Sequence, residues 1–290
     1  MDLRTIKTFQ TIVKCGSFQQ AAEQLNYAQS TVTTQIKKLE NDLGVTLLER
    51  GNHLQLTEAG RLLYEKGELL LRSFDHVKQS MTELVEGEAG ILRIGVMEPM
   101  ASYRLPVLLT MFSKQFPKVQ ISLQIHGSSV LADMVEKEEI DIAICAAPDI
   151  YRDTEFDPIF SEKVALLIPE THRLSKVEHV KLVDLYNEKL LITNATCPFR
   201  GNFERKLLES GIIPSYGMEV SNLMALKYYV QAGFGAAIVP LITIQPPPVG
   251  TVMKHIIDFP SGLTVGSLRK VNNQQSRFAH QLLTILKSNS

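Results

Sequence analysis

Cysteine is scarce in this 290-residue sequence. Cys15, Cys145 and Cys197 lie far apart, and none forms a C-x-x-C pair. Cys15 and Cys145 stand among apolar residues and read as buried thiols. Histidine is equally unhelpful to a metal: His126 and His172 have no partners at ligand spacing, so no metal and no cofactor are expected. No apolar run reaches the length of a membrane span, and Asp2-Leu3-Arg4 leads straight into an amphipathic pattern rather than a signal peptide. The expectation is a soluble, cytoplasmic chain. Catalytic signatures are missing as well. There is no G-x-S-x-G, no P-loop, no His/Glu pair at metal spacing and no G-x-G-x-x-G after the first strand, so an enzyme is not expected. Net charge is nearly absent too. Thirty Lys and Arg face 31 Asp and Glu, a formal charge of -1, and residues 1–60 carry six of each sign. Bulk charge therefore supplies no attraction for a polyanion.

What is present is pattern. From Ser17 to Gly44 the chain reads SFQQAAEQLNYAQSTVTTQIKKLENDLG. Phe18, Ala21, Ala22 and Leu25 recur at helical spacing, and Asn26-Tyr27 breaks the run. Val32, Ile36, Leu39 and Leu43 then form one stripe on a second helix. Ala21 and Ala22 are small enough for two helices to cross steeply. The opposite face of the second helix presents Gln29, Ser30, Thr31, Thr33, Thr34 and Lys37. These are short hydrogen-bonding groups and one cation, gathered near an N-terminus, with no acid before Glu40. A solvated face usually mixes both signs; a helix that reads base edges in a major groove wants this set. Residues 3–14 place Leu3, Ile6, Phe9, Ile12 and Val13 on one face of a supporting helix. After Gly44, residues 45–56 suggest a small hairpin turning at Gly51-Asn52-His53. Arg50 and His53 would then lie near phosphate, with Lys37 and Lys38 beside the reading surface and Asp42, Glu49 and Glu58 facing away.

Residues 1–60 resemble the N-terminal domain of LysR-type transcriptional regulators. The shared positions are Ala21-Ala22-x-x-Leu25, Gln29, Val32, Ile36, Leu39-Glu40, Leu43-Gly44, Leu47-Leu48-x-Arg50 and Leu56-Thr57-x-Ala59-Gly60. Ala28, Ser30, Thr33, Leu48 and His53 depart from the usual Ser, Pro, Ser, Phe and Arg. The resemblance implies a winged helix-turn-helix that binds double-stranded operator DNA.

Residues 57–86 contain no proline. Leu63, Leu70, Val77 and Leu84 recur every seven residues, interleaved by Gly67, Phe74 and Met81. Apart from Gly67 this is a heptad seam. A helix of some thirty residues is about 45 Å long and is expected to bury Leu63, Leu70, Phe74, Val77, Met81 and Leu84 against a second copy. The family has a dimerising helix here, and the resemblance extends to a tetramer.

Residues 87–90 read as a hinge. Beyond them strands alternate with helices: strands at 91–96, 119–125, 141–145, 163–169, 190–193, 218–220, 236–239, 252–258 and 264–268, and helices at 105–116, 129–137, 199–210, 223–232 and 277–287. Such alternation implies doubly wound sheets. The expected organisation is multidomain. An all-α winged helix-turn-helix (1–60) and a long linker helix (57–87) precede an α/β effector domain (91–290). Gly233-x-Gly235-x-x-Ile238-x-Pro240 continues the resemblance, which implies two half-domains like a periplasmic binding protein, 91–162 with 264–290 and 163–263, crossing near 160–163 and 261–263.

Ligands of open α/β sheets sit at the carboxyl ends of strands. The loops there carry Met100 and Ser102, then Gly127, Ser128 and Ser129, then Thr193, Asn194, Thr196 and Arg200. Small hydroxyls and free N–H groups suit a carboxylate, and Arg200 offers a bidentate contact. Ser102, Ser128 and Asn194 serve equally well as helix caps. Cys197 at a helix start has the position of a reactive thiol but no neighbouring cysteine in sequence. The leading expectation is a DNA-binding regulator modulated by a small, anionic effector. The competing one is a cytosolic solute-binding sensor with little or no DNA binding.

Overall fold

The structure, a computed structural model, describes the chain except residues 50–53, 87–88, 149–152, 260–261, 272–275 and 290, and the side chains of 76, 79, 80 and 82–86. Arg50, His53, the side chain of Leu84, and parts of the expected hinge and second crossover lie outside the described residues. The chain divides into two compact units, Met1–Gly87 and Glu88–Ser290.

In the first unit, α1 (Leu3–Cys15) starts on Asp2, whose carboxylate accepts from the Thr5 N–H, and ends on Gly16 at φ 66°. α2 (Phe18–Leu25) is capped by Ser17 and closed by Asn26 in the left-handed region. α3 (Gln29–Leu43) ends on Gly44. The stripes read from sequence meet in one core of Ile6, Phe9, Ile12, Ala21, Ala22, Val32, Ile36 and Leu39. β1 (Leu48–Glu49) pairs antiparallel with β2 (Gln55–Leu56) as the base of a wing. Glu40 holds the wing to α3, because its Oε1 accepts the Leu47 N–H at 2.8 Å.

α4 (Glu58–Glu86) is 29 residues long. Its first turns pack on α1. A Cβ on Gly67 would sit 3.0 Å from the Ile6 side chain, so the residue that interrupts the heptads is the one that lets α1 approach. Past that contact nothing among the described residues of its own unit covers the apolar row: Leu70, Phe74, Val77 and Met81 are 45%, 49%, 58% and 57% exposed.

The second unit holds two five-stranded sheets. The first comprises β3 (Ala89–Val96), β4 (Lys118–Ile125), β5 (Ile142–Ala146), β6 (Thr154–Glu162) and β12 (Leu263–Lys270), in the order β4-β3-β5-β12-β6. The second comprises β7 (Val164–Pro169), β8 (Lys189–Ile192), β9 (Ser215–Glu219), β10 (Ala236–Pro240) and β11 (Thr251–Lys254), in the order β11-β7-β10-β8-β9. Both are mixed. β3 runs parallel to β4 and β5, while β12 is antiparallel to β5 and β6. β8 runs parallel to β9 and β10, while β7 is antiparallel to β10 and β11. Strand β6 was not expected from the sequence pattern.

Helices cover both faces of each sheet, as near-continuously apolar central strands require. α5 (Met100–Tyr103), α6 (Leu105–Gln115) and α10 (Arg277–Ser288) bury Leu105, Leu108, Phe112, Phe278 and Leu282 on one face of the first sheet. α7 (Ser128–Glu136) covers the other with Leu131 and Val135. On the second sheet, α8 (Pro198–Glu209) supplies Phe203 and Leu207 to one face, and α9 (Leu226–Gln231) supplies Leu226 and Val230 to the other.

Candidate functional site

Packing of Val32, Ile36 and Leu39 inward sets the outward face of α3. Gln29, Ser30, Thr31, Thr34, Lys37 and Lys38 are exposed and Thr33 is half-buried. The Thr33 hydroxyl donates to the Gln29 carbonyl at 3.0 Å, and that of Thr34 to the Ser30 carbonyl at 2.8 Å. Their protons are spent inside the helix, leaving methyl groups and oxygen lone pairs outward. That combination suits a thymine methyl or a cytosine amino group. Ala28 makes no side-chain hydrogen bond to the first turn; the Thr31 N–H turns to the Ala28 carbonyl at 2.9 Å, and the Gln29 and Ser30 N–H groups are left for an anion. Lys38 Nζ lies 3.3 Å from Asp2, whereas Lys37 has no ion-pair partner among the described residues.

A groove of about 330 Å³ runs beside α3, lined by Ser17, Phe18, Gln29, Thr33, Glu49 and Leu54 among others. Glu49 therefore does not face away from the reading side, contrary to expectation. The end of β1 carries it into the groove. Asp42 is taken up by the N-terminal ammonium at 2.5 Å.

In the second unit the expected ligand loops come together at one end of the two sheets, but most of their polar groups already have partners. Ser128 is buried, with its hydroxyl 3.8 Å from the Met97 sulfur, which also accepts the Ala146 N–H at 3.0 Å. The Ser102 hydroxyl donates to Glu98 at 2.7 Å, and Thr196 to Asn194 at 3.1 Å. Thr193 and Met100 are buried, the latter inside the first-sheet core, while Gly127 and Ser129 are exposed. Arg200 is committed elsewhere: its guanidinium reaches Glu204 at 2.7 Å, Glu219 at 3.0 Å and the Thr193 carbonyl at 2.7 Å, and stacks over Tyr216. It braces the strand β8 loop rather than pointing a free fork at a ligand.

Two features were not legible in sequence. Phe199, on a helix that otherwise serves the second sheet, is buried among Met97, Leu131, Cys145 and Leu268 of the first-sheet layer. Burial pushes the Cys145 thiol up to about 12, so it is inert. Lys227 on α9 donates to the Tyr103 hydroxyl and to the Thr243 carbonyl, each at 3.1 Å. Its ammonium also lies over the Tyr103 and Tyr228 rings, and no carboxylate pairs with it among the described residues, so a half-buried cation without an acidic partner spans the two half-domains.

Beside this contact Arg104 lies 3.3 Å from Glu162 and over the Phe160 ring. Burial raises the Glu162 carboxyl pKa, and Arg104 offsets this only in part. Its stabilising contribution is therefore full below the ordinary carboxylate range and is lost as pH rises through the raised value. Calorimetric melts between about pH 4 and pH 7 should show this decline, and E162Q should flatten it.

Among the described residues no group of three His, Cys, Asp or Glu could hold a metal ion, and no helix is long and apolar enough to cross a membrane.

A family model described as the bacterial regulatory helix-turn-helix protein, lysR family, matches residues 3–61, and one described as the LysR substrate binding domain matches residues 86–290. The chain belongs to the LysR family of transcriptional regulators. It is 37% identical over 268 residues to the HTH-type transcriptional regulator YtlI of Bacillus subtilis (strain 168), covering 92% of this chain and 87% of that one. It is 32% identical to YwqM, an uncharacterized HTH-type transcriptional regulator of the same organism, covering 88% of each. Among solved structures it shares the fold of CbnR, a LysR family regulator, at 21% identity and a TM-score of 0.76 over 99% of both chains. HinK of Pseudomonas aeruginosa matches at 25% identity and a TM-score of 0.61, covering 99% of this chain and 98% of that one. The two family matches meet the two units, with α3 in the first and the partnered loops in the second.

Proposed function

We propose that this LysR-type regulator binds double-stranded operator DNA through the outward face of α3, in cytoplasm, as a homodimer or a tetramer built from dimers. The carrying observation is that face: Gln29, Ser30, Thr31, Thr33, Thr34 and Lys37 carry no acid among them and surround an uncapped helix start. Lys38, Arg50 and His53 complete the proposed contact set at its edges. A structural relative, CbnR, has been solved in complex with its target DNA, which supports DNA as the partner. The row Leu63, Leu70, Phe74, Val77, Met81 and Leu84 on α4 is proposed to pair with a second copy, delivering two α3 helices to half-sites about one helical turn apart or a multiple of it. The proposed boundaries are 1–60 for DNA binding, 57–87 for pairing and 91–290 for the effector domain.

The effector is proposed to be a small anion at the mouth between the two sheets, near Ser102, Gly127, Ser129, Asn194 and Thr196. Its charge is met by Lys227, with Ser128, Thr193, Met100 and Arg200 as the supporting wall. No reaction is assigned to it. Ligand binding there changes which half-sites are engaged, a coupling of two sites.

Footprinting over the region upstream of the protein's own gene, across a salt series, tests this. Protection of two or more half-sites on one face of the duplex is expected. K37A should lower the log–log salt slope by about one per subunit. K38A should do less, because Asp2 already holds that ammonium. E49Q should raise affinity about threefold, the scale of one exposed charge contact. Absence of protection at low salt would leave the competing reading, a solute sensor without DNA binding, which the neutral balance of residues 1–60 favours.

A further inference from the structure

A second cavity, separate from the loops above, lies at the second sheet. It has a volume of about 140 Å³ and is lined by Lys163, Val164, Ala165, Ile238, His255, Ile256 and Phe259. None of the residues proposed for the effector borders it. Its floor is apolar: Val164, Ile238, Ile256 and Phe259 all belong to or pack against one hydrophobic core. Its rim carries two exposed nitrogen donors, Lys163 and His255, and no carboxylate lines it among the described residues.

We propose that this cavity is a second ligand site for a small carboxylate with a compact apolar body, a single ring or a branched chain. Size and chemistry carry the assignment together. An apolar protein cavity of about 150 Å³ accepts a benzene ring, so one six-membered ring fills this one without strain. The floor removes the ring from water, and the Lys163 ammonium and His255 imidazole meet the carboxylate at the rim, where charge-assisted hydrogen bonds form at least desolvation cost. A dicarboxylate is disfavoured because its second charge would enter the apolar floor. Position gives the site leverage. Lys163 is the single residue between β6 of the first sheet and β7 of the second, and its carbonyl accepts the Leu241 N–H at 2.8 Å. Val164 packs both on the second-sheet core and on the cluster around Phe199. An occupant therefore touches a side chain that both half-domains share. The proposal does not depend on DNA binding or on the anion at Lys227.

The test is ligand-observed saturation-transfer NMR on the full chain with cyclohexanecarboxylate, compared with cyclohexylmethanol, which has the same ring and no charge. The carboxylate is expected to bind at least about tenfold more tightly than the alcohol. The double variant K163Q/H255Q changes only exposed side chains, so the fold is retained, and it should bring the carboxylate down to the level of the alcohol. K227M should leave binding unchanged. Binding by the double variant equal to wild type, loss of binding in K227M, or no saturation transfer to the carboxylate in the wild-type chain would each overturn the proposal. The last outcome leaves the footprinting result untouched.

Discussion

Gly60→Ala is expected to destabilise the first unit by about 3 kcal/mol, at the upper end of overpacking costs, and to abolish DNA retention. Gly60 lies buried in the first turn of α4. A Cβ there would stand 2.1 Å from the Leu47 carbonyl oxygen and 3.1 Å from the Leu56 side chain. The obstacle is backbone, so no rotamer change relieves it. That carbonyl is also held from α4: the Thr57 N–H donates to it at 3.1 Å, and the Thr57 hydroxyl reaches the Thr46 carbonyl at 2.7 Å and accepts the Gly60 N–H at 2.9 Å. Displacing Leu47 pulls on Leu47 and Leu48 in the core and on the Glu40 bonds that fix the wing beside α3. Urea unfolding of the full chain should show an early transition for the first unit, with footprint protection lost. A variant that melts and protects like the wild type would show that α4 and the wing can separate freely.

Phe199→Ala should cost about 3–5 kcal/mol in the second unit, the usual range for emptying a buried aromatic site. The larger consequence is location. α8 is anchored on the second sheet by Phe203 and Leu207, while Phe199 enters a cluster on the first. Truncation removes the most buried apolar contact that joins the two layers beneath the proposed effector loops, and leaves the part-buried Val164 and Leu223 together with the polar bridge of Lys227 and Tyr103. Hydrogen exchange should report this directly. The Ala146 amide, bonded to the Met97 sulfur in that cluster, is expected to lose protection, whereas amides of the first-sheet core around Phe112 and Phe278 should keep theirs. Unchanged exchange at Ala146 together with an unchanged melt would mean that Phe199 is not what holds the layers together.

How much of this was readable beforehand depended on the range of the contact. The stripes of α1, α2 and α3 follow from apolar spacing, and their ends from Gly16, Asn26 and Gly44, because helix period and left-handed caps are local properties. The exposed row from Leu70 to Met81 announced itself by its heptads. Strand β6 did not. Its sequence, TEFDPIFSE, mixes acids with a proline, which normally argues against a strand. It survives because β6 is an edge strand, and Pro158 pairs with Gly266 next to a register irregularity, where the missing N–H costs little. Glu49 misled for a related reason: alternation along a two-residue strand is too short to tell inward from outward.

The composite motif from Ala21 to Gly60, the heptads of residues 57–86 and the strand–helix alternation after residue 90 already determined a helix-turn-helix with wing, a long apolar-edged helix and an α/β ligand domain. These rest on periodicity, on caps and on residue types at fixed offsets, none of which needs a partner distant in the chain. Tertiary structure alone decided the chemistry of the cleft. Arg200 looked like the anion contact and is consumed by Glu204 and Glu219. Lys227 drew no expectation from sequence, and it meets Tyr103, 124 residues away, with no acid beside it among the described residues. Whether a charged side chain is spent or free is set by what the fold brings against it, and that is a property of packing across the whole second unit, not of the residue or its neighbours in sequence.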